Sequence, residues 1–255
     1  MKNCFFSIVT VCLNSERTIR NTVKSVLCQE FFDFEYVVLD GGSSDATLNI
    51  ISSYEQEFKD KGIRFYYCSG KDNGVYDAMN KSLDYCCGEW LLYLNADDSF
   101  YSCDILCKVY DYIKNDYHND VDVYYGDVLA FDVNNVSQYQ KAKNITNILK
   151  SMPFCHQSVF VKTKLQKKYL FDLDFAIGAD YNFFLNLYLD GAKFNYMQLV
   201  ISCFSLNGLS MQSKFVLYDE FLRVKHKNNV VDQYSLLVKI KRRIRFLLFS
   251  LSSLK

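Results

Sequence analysis

The sequence predicts an α/β protein with a mostly parallel central sheet flanked by helices, and three observations carry that expectation. Apolar runs of strand length alternate with segments of helical periodicity through the first hundred residues. Each of the first four strand-like runs is followed by a loop rich in polar chemistry. The fourth, Leu91-Leu92-Tyr93-Leu94, runs through Asn95-Ala96 into the adjacent carboxylates Asp97-Asp98. Ligands bind at the carboxyl end of strands in open α/β sheets, so a carboxylate pair there asks for a cation. A hard divalent ion held to a ligand's phosphates would relieve the repulsion; a solvated acidic turn is the plainer alternative.

Taken in order, residues 5–11 form a continuous apolar run, as for a strand buried on both faces. Asn14-Ser15-Glu16 then offers helix-starting chemistry, and Ile19, Val23, Val26 and Leu27 repeat at helical spacing through Cys28. Residues 36–39 read as a second strand, ending in Asp40-Gly41-Gly42-Ser43-Ser44-Asp45. Leu48, Ile51, Tyr54 and Phe58 mark one helix, residues 64–68 a third strand, and 76–85 a helix with Met79 and Leu83 inward. Residues 90–94 complete the fourth strand. This regularity calls for right-handed crossovers in a parallel sheet. Beyond Asp98 the rhythm loosens. A helix is expected at 105–113, one or two strands at 121–131, and an irregular segment at 153–162 leading into a strand at 158–161. A helix at 180–189 and short strands at 194–197 and 200–204 follow. No linker or repeat divides the chain, so the two halves are expected to share one sheet.

Composition narrows the class. With 255 residues, 50% of them hydrophobic, and one proline, the chain can bury a real core and is not disordered. Formal charge is zero but uneven: from Phe221 to Lys255, nine lysines and arginines face one acid, Asp232. Basic residues are not spread through the fold, which argues against a nucleic-acid partner. The ten cysteines show no zinc spacing, and they read as buried or half-buried thiols of a reducing compartment. The amino-terminal apolar run is too short and too β-branched for a signal peptide or a spanning helix, so a cytoplasmic chain is expected.

The chemistry converges on the rim. Asn14 and Glu16 sit in the first loop, Asp40 with Gly41 and Gly42 in the second, Lys71-Asp72-Asn73-Gly74 in the third, and Asp97-Asp98 in the fourth. A carboxylate at Asp40 can accept from a nucleobase N–H or a ribose hydroxyl, and its glycines let the backbone turn tightly beside a ligand.

Phe6-Ser7-Ile8-Val9-Thr10-Val11-Cys12-Leu13-Asn14 and then Val38-Leu39-Asp40-Gly41-Gly42-Ser43-Ser44-Asp45-Ala46-Thr47 resemble the opening of the family 2 glycosyltransferases. Asp72-Asn73-Gly74-Val75-Tyr76-Asp77-Ala78-Met79-Asn80-Lys81, and Gly88-Glu89-Trp90 through Asp97-Asp98, are similar to its next blocks. The resemblance implies a GT-A fold, with residues 1–100 binding the nucleotide-sugar donor, 101–210 the acceptor, and 211–255 a basic, amphipathic, helical extension. It implies that Asp40, with Gly42, contacts the nucleobase, and that Thr10, Cys12, Asn14 and Glu16 lie near the nucleoside. Asp72 and Asn80 would shape the donor pocket, Asp97 would face ribose or sugar, and Asp98 would ligate Mn²⁺ or Mg²⁺. Carboxylate ligands favour those ions over zinc, and the sequence has neither a Gly-x-Gly-x-x-Gly nor a Walker loop to meet phosphate instead.

Gly178-Ala179-Asp180-Tyr181-Asn182-Phe183-Phe184 resembles the block that opens a helix with the catalytic Asp. The resemblance implies Asp180 as general base in an inverting single displacement, most simply with a UDP-sugar. Phe154-Cys155-His156-Gln157-Ser158 is similar to another block, in which His156 contacts the diphosphate or the acceptor. The Gln-x-x-Arg-Trp block of processive synthases is missing, Trp90 being the only tryptophan, which implies transfer of one sugar to a saccharide or polyprenyl-linked saccharide acceptor in surface-polysaccharide assembly, O-antigen or capsule. A sugar-1-phosphate nucleotidyltransferase or a non-catalytic nucleotide-sugar-binding protein are the alternatives. In the tail, Leu236, Leu237, Ile240, Ile244, Leu247, Leu248 and Leu251 fall on one helical face, with Lys239, Lys241, Arg242, Arg243 and Arg245 around it. Such a helix either lies on an anionic membrane through residues 236–255 or docks on the body or on a second subunit of a homodimer.

Overall fold

The computed structural model describes residues 4–118, 120–131, 136–206 and 214–230. These form a nine-stranded sheet: β1 (Phe6–Cys12), β2 (Phe34–Asp40), β3 (Arg64–Ser69), β4 (Trp90–Tyr93), β5 (Ser99–Phe100), β6 (Val123–Phe131), β7 (Ser137–Gln140), β8 (Val159–Lys162) and β9 (Phe194–Ser205). The order is β3-β2-β1-β4-β8-β6-β9-β5, with β7 paired to β6. Strands β1 to β4, β6 and β9 run one way, while β5, β7 and β8 run against them. The sheet is therefore continuous across both halves, joined where β8 pairs antiparallel to β4 and to β6.

The uninterrupted apolar runs are explained by burial on both faces. Along β1, Phe6 and Ile8 pack with α1 (Ile19–Leu27), α2 (Thr47–Ser52), α3 (Glu55–Asp60) and α5 (Ile105–Asn115), through Val23, Ile51, Phe58 and Leu106. Val9 and Val11 face the other way, toward α4 (Val75–Ser82) and α7 (Ala179–Leu189), through Met79 and Phe184. The alternation is that of any strand, with two apolar sides instead of one. Helix α7 is apolar nearly all round, as a helix sunk in the core must be.

Several elements differ from expectation. The single helix expected at Leu48–Phe58 is two, α2 and α3, broken at Ser53-Tyr54. The helix expected over 76–85 is α4 followed by a 3₁₀ turn, Leu83–Tyr85. The two short strands near 194–204 are one strand, β9, irregular where Gln198 takes φ 45°. One helix was not expected, α6 (Thr163–Lys168), while α8 (Lys214–Lys227) falls within the 211–255 stretch expected to be helical. The cysteine expectation is corrected too: Cys28, at the end of α1, and Cys103, before α5, form a disulfide with Cα atoms 5.3 Å apart. Seventy-five residues separate them, so spacing held no trace of the pair. The amphipathic face from Leu236 to Leu251 lies outside the described residues. Among the described residues no helix is long and apolar enough to cross a membrane.

At the amino end of the strands a buried carboxylate is fully met. Glu35, 1% exposed, accepts from Ser7 Oγ (2.6 Å), Cys87 N (2.5 Å) and Gly88 N (3.1 Å), and pairs with Arg64. Burial alone would push its carboxyl up, but these partners more than offset it and the pKa is lowered.

Candidate active site

The carboxyl ends of β1, β2 and β4 open into a cavity of about 1240 Å³. One wall is the β1–α1 loop, tied crosswise to the β2–α2 loop. Asn14, at φ 49°, accepts from Ser44 N through Oδ1 (3.0 Å), and its own N–H donates to Ser43 Oγ (2.7 Å). Asn is among the few side chains that tolerate that backbone. Glu16 accepts from Ala46 N (3.0 Å), and its N–H donates to Asp45 (3.1 Å). Asp45 also accepts from Thr47, and despite some burial cost these donors hold its carboxyl below the usual range.

Of the residues singled out from sequence, Cys12, Asn14, Glu16, Asp72, Asp97, Asp98, His156 and Asp180 line this one cavity. Thr10, Asp40, Gly42 and Asn80 are not among its lining residues, and each has other partners. Thr10, wholly buried in β1, donates to Leu94 O (2.7 Å) and accepts from Tyr36 (2.9 Å). Asp40 is 2% exposed; its carboxylate accepts from Ser43 N and Ser43 Oγ and from Ser69 Oγ (2.5 Å). Gly42, at φ +87°, makes the turn that brings Ser43 back to Asp40. Asn80 brackets the backbone of Phe171, donating to its carbonyl and accepting from its amide, both at 2.9 Å.

At the centre stand Asp97 and Asp98. Asp97 is open to water, yet it sits in a concave wall, and desolvation raises its carboxyl pKa. Asp98 is 2% exposed, and burial followed by the charge of Asp97 raises it well above the carboxylate range. Ser205 N donates to its Oδ1 (2.9 Å), and Gln157 favours the ionised form, but Oδ2 has no hydrogen-bond partner. Asn95 Oδ1, three residues away, is buried and unpartnered as well. Two orphaned oxygens near one strand end, acceptors both, are ligand atoms of the kind a hard divalent cation takes.

On the far wall Asp180 opens α7. Its carboxyl is desolvated and raised to about 6, although Tyr181 N donates to it (2.7 Å) and Tyr76 lies against it. His156 Nδ1 is 3.9 Å from Asp180 Oδ2, too long for a hydrogen bond. The rings of Tyr93, Phe171 and Phe184 surround the imidazole, and burial lowers its pKa to about 4. Burial thus favours the neutral imidazole in this ligand-free cavity. Tyr76, Asn95, Gln157 and Ser205 were not singled out; the first three stand inside the blocks quoted from the sequence, whereas Ser205 has no local signal.

The sheet and its carboxylate-bearing rim define an α/β enzyme of the GT-A type. The particular family follows from sequence: residues 7–177 match the model of Glycosyl transferase family 2, and the chain belongs to that family of transferases. It is 33% identical, over 220 residues, to the PGL/p-HBAD biosynthesis glycosyltransferase of Mycobacterium tuberculosis, covering 86% of this chain and 82% of the relative. Two solved structures show the same fold. One is a mannosyltransferase from Pyrobaculum calidifontis in complex with GDP-Man and Mn²⁺ (TM-score 0.68, 15% identity, 91% of this chain and 66% of that one). The other is S. aureus TarS 1–349 with UDP (TM-score 0.67, 21% identity, 86% of this chain), of which the alignment spans 64%.

Proposed function

We propose that this chain is an inverting, divalent-metal-dependent glycosyltransferase that moves one sugar from a nucleotide-sugar donor, in the first instance a UDP-sugar, to a hydroxyl of a saccharide or lipid-linked saccharide. The observation that carries this reading is the pairing within one cavity of an unmatched central carboxylate, Asp98, with a second carboxylate, Asp180, whose pKa is raised to about 6. UDP in TarS and GDP-Man with Mn²⁺ in the mannosyltransferase support a nucleotide-sugar donor.

In this reading residues 1–100 do the donor's work. Asn14 and Glu16, already fixed by their neighbours, form the nucleoside wall, and Asp97 meets ribose or sugar hydroxyls. Asp40 supports that wall from beneath. Asp98, with Asn95 beside it, would hold Mn²⁺ or Mg²⁺, which when bound offsets the charge on the departing diphosphate. Residues 101–210 do the acceptor's work. The acceptor oxygen bonds to the anomeric carbon as the bond to diphosphate breaks, from the opposite face, and the hydroxyl proton passes to Asp180. A carboxylate titrating near 6 is ionised at pH 7.5 and more basic than an ordinary one, which suits a general base. Neutral His156 keeps a positive charge away from that base.

The test is nucleoside diphosphate release from a panel of nucleotide sugars that includes UDP-GlcNAc and GDP-mannose, with Mn²⁺ or EDTA. Release from one donor, lost with EDTA and in Asp98→Ala, is the expected result; release that persists in EDTA would end the metal-dependent reading. Residues 236–255 are assigned to peripheral membrane contact: deleting 239–255 should free the protein from anionic liposomes while nucleotide binding is kept. Equal sedimentation of both forms would end that assignment.

A further inference from the structure

The loop just ahead of Asp180 is held by a residue no motif marks. Glu220, on α8 and 5% exposed, accepts from three successive backbone amides: Ala176 N (2.9 Å), Ile177 N (2.8 Å) and Gly178 N (2.7 Å). Gly178 is the residue before α7, so its amide is one that the helix itself leaves without a carbonyl partner, and those of Ala176 and Ile177 belong to the loop just ahead of it. A carboxylate suits the place doubly, since it offers only acceptors and carries the charge a helix N-terminus favours. The approach is close: a Cβ on Gly178 would lie 3.3 Å from both Cβ and Oε2 of Glu220.

The same loop is gripped from the opposite side. Tyr76, on α4, donates to Ile177 O (2.5 Å) and lies against the Asp180 carboxyl. Residues 176–178 thus have both their amides and a carbonyl fixed by neighbouring helices, two residues before Asp180. Helix α8 is itself anchored there. Phe221 packs on Tyr181 with ring centroids 4.4 Å apart, Val224 is fully buried, and Leu217 and Phe221 line the cavity.

We infer that Glu220 is a positioning residue for the reaction: by clamping the 176–178 amides it fixes where and at what angle Asp180 meets the acceptor hydroxyl, which makes α8 a working part of the acceptor side. The inference rests on the assignment of Asp180 as base. The groups that face Asp180 are His156 from the 3₁₀ turn before β8, Tyr76 from α4, Glu220 from α8, and its own helix's Tyr181 amide. Glu220 adds a negative charge to that ring and so also helps keep Asp180 basic.

The experiment is a double-mutant cycle on the full chain, using the donor that the release assay identifies, with Mn²⁺. Glu220→Ala should lower kcat by about 30- to 100-fold, the scale of a base misplaced by about 1 Å, with donor KM changed less than about twofold. Glu220→Gln keeps the length and one acceptor oxygen and should fall between the two; it carries the cycle if the alanine variant is too unstable. In an Asp180→Asn background, Glu220→Ala should cost less than about twofold, because a residue acting through Asp180 has nothing left to act on. Equal losses in both backgrounds, or no loss in the single variant, would overturn the proposal. Asp180→Asn activity within about tenfold of wild type would remove the base assignment, and this inference with it, without Glu220 being touched. A readout free of substrate is amide exchange. The 176–178 amides should exchange at least about tenfold faster in Glu220→Ala while α7 beyond Tyr181 stays protected, and unchanged exchange would show the clamp is absent.

Discussion

The two ends of the sheet each bury a carboxylate, and the two are treated in opposite ways. At the amino end Glu35 meets Ser7, two backbone amides and Arg64, and its pKa is lowered. At the carboxyl end Asp98 has one amide donor, an unpartnered oxygen and Asp97 next door, and its pKa is raised. Burial is the same within a percent or so. The chain therefore completes the first charge within itself, whereas the second is the one that a bound cation would complete under the proposed function. On that proposal the first is architecture and the second a site, a distinction that burial alone would miss.

The largest expected effect lies on the site side. Asp180→Asn should reduce kcat by about 10³-fold, within the range of general-base catalysis, while UDP binding with Mn²⁺, followed by calorimetry, stays within a few-fold. Loss of both together would mean that the residue builds the cavity and does not act in it. Next comes the architectural end. Glu35→Gln leaves Arg64 without its charge partner and sets an amide N–H₂ against backbone donors, so denaturant unfolding should show a loss of about 3 kcal/mol. No measurable loss would erase the contrast between the two ends.

The smallest effect has the opposite sign. Asp180 binds its proton more tightly folded than unfolded, so its contribution to stability is present below its ordinary value of 3.8 and is lost as pH rises through about 6. Asp180→Asn should therefore be more stable than wild type at pH 8, by about 1–2 kcal/mol once the ~3 kcal/mol of the full shift is discounted for partial exposure, with most of the gain gone by pH 4. Ligand-free melting at the two pH values checks it. By the same proton, wild-type kcat should climb with pH through about 6 and then level off.

How much was legible follows the same division. Strands β1, β2 and β4 could be read because a strand buried on both faces leaves an unbroken apolar run, and the half-buried β3 was marked by its aromatic run Phe65-Tyr66-Tyr67; all four fall where those runs lie. The break between α2 and α3 was hidden because Leu48, Ile51, Tyr54 and Phe58 keep helical spacing across it. The carboxylates at strand ends were legible as chemistry, since Asp97-Asp98 is costly without a partner. Thr10, Asp40 and Asn80 stand inside the quoted blocks, and their intramolecular partners, Leu94, Ser69 and Phe171, could not be read there. Glu220 was illegible. It is one acid among 29, and its partners lie more than forty residues upstream, where only the packing of α8 on α7 brings them together.

Ser205 and Glu220 bracket one stretch of chain, and the first donates to Asp98 while the second clamps the loop before Asp180. The carboxy-terminal region is therefore not an interchangeable appendage. A chimera that keeps this sheet and grafts a relative's sequence after Ser205 would carry the central carboxylate's amide donor but lose the clamp. A graft made before Phe194 would replace both together. Exchange between family members should respect that seam, because the proposed cation site and the proposed base are both tied to a single run of backbone.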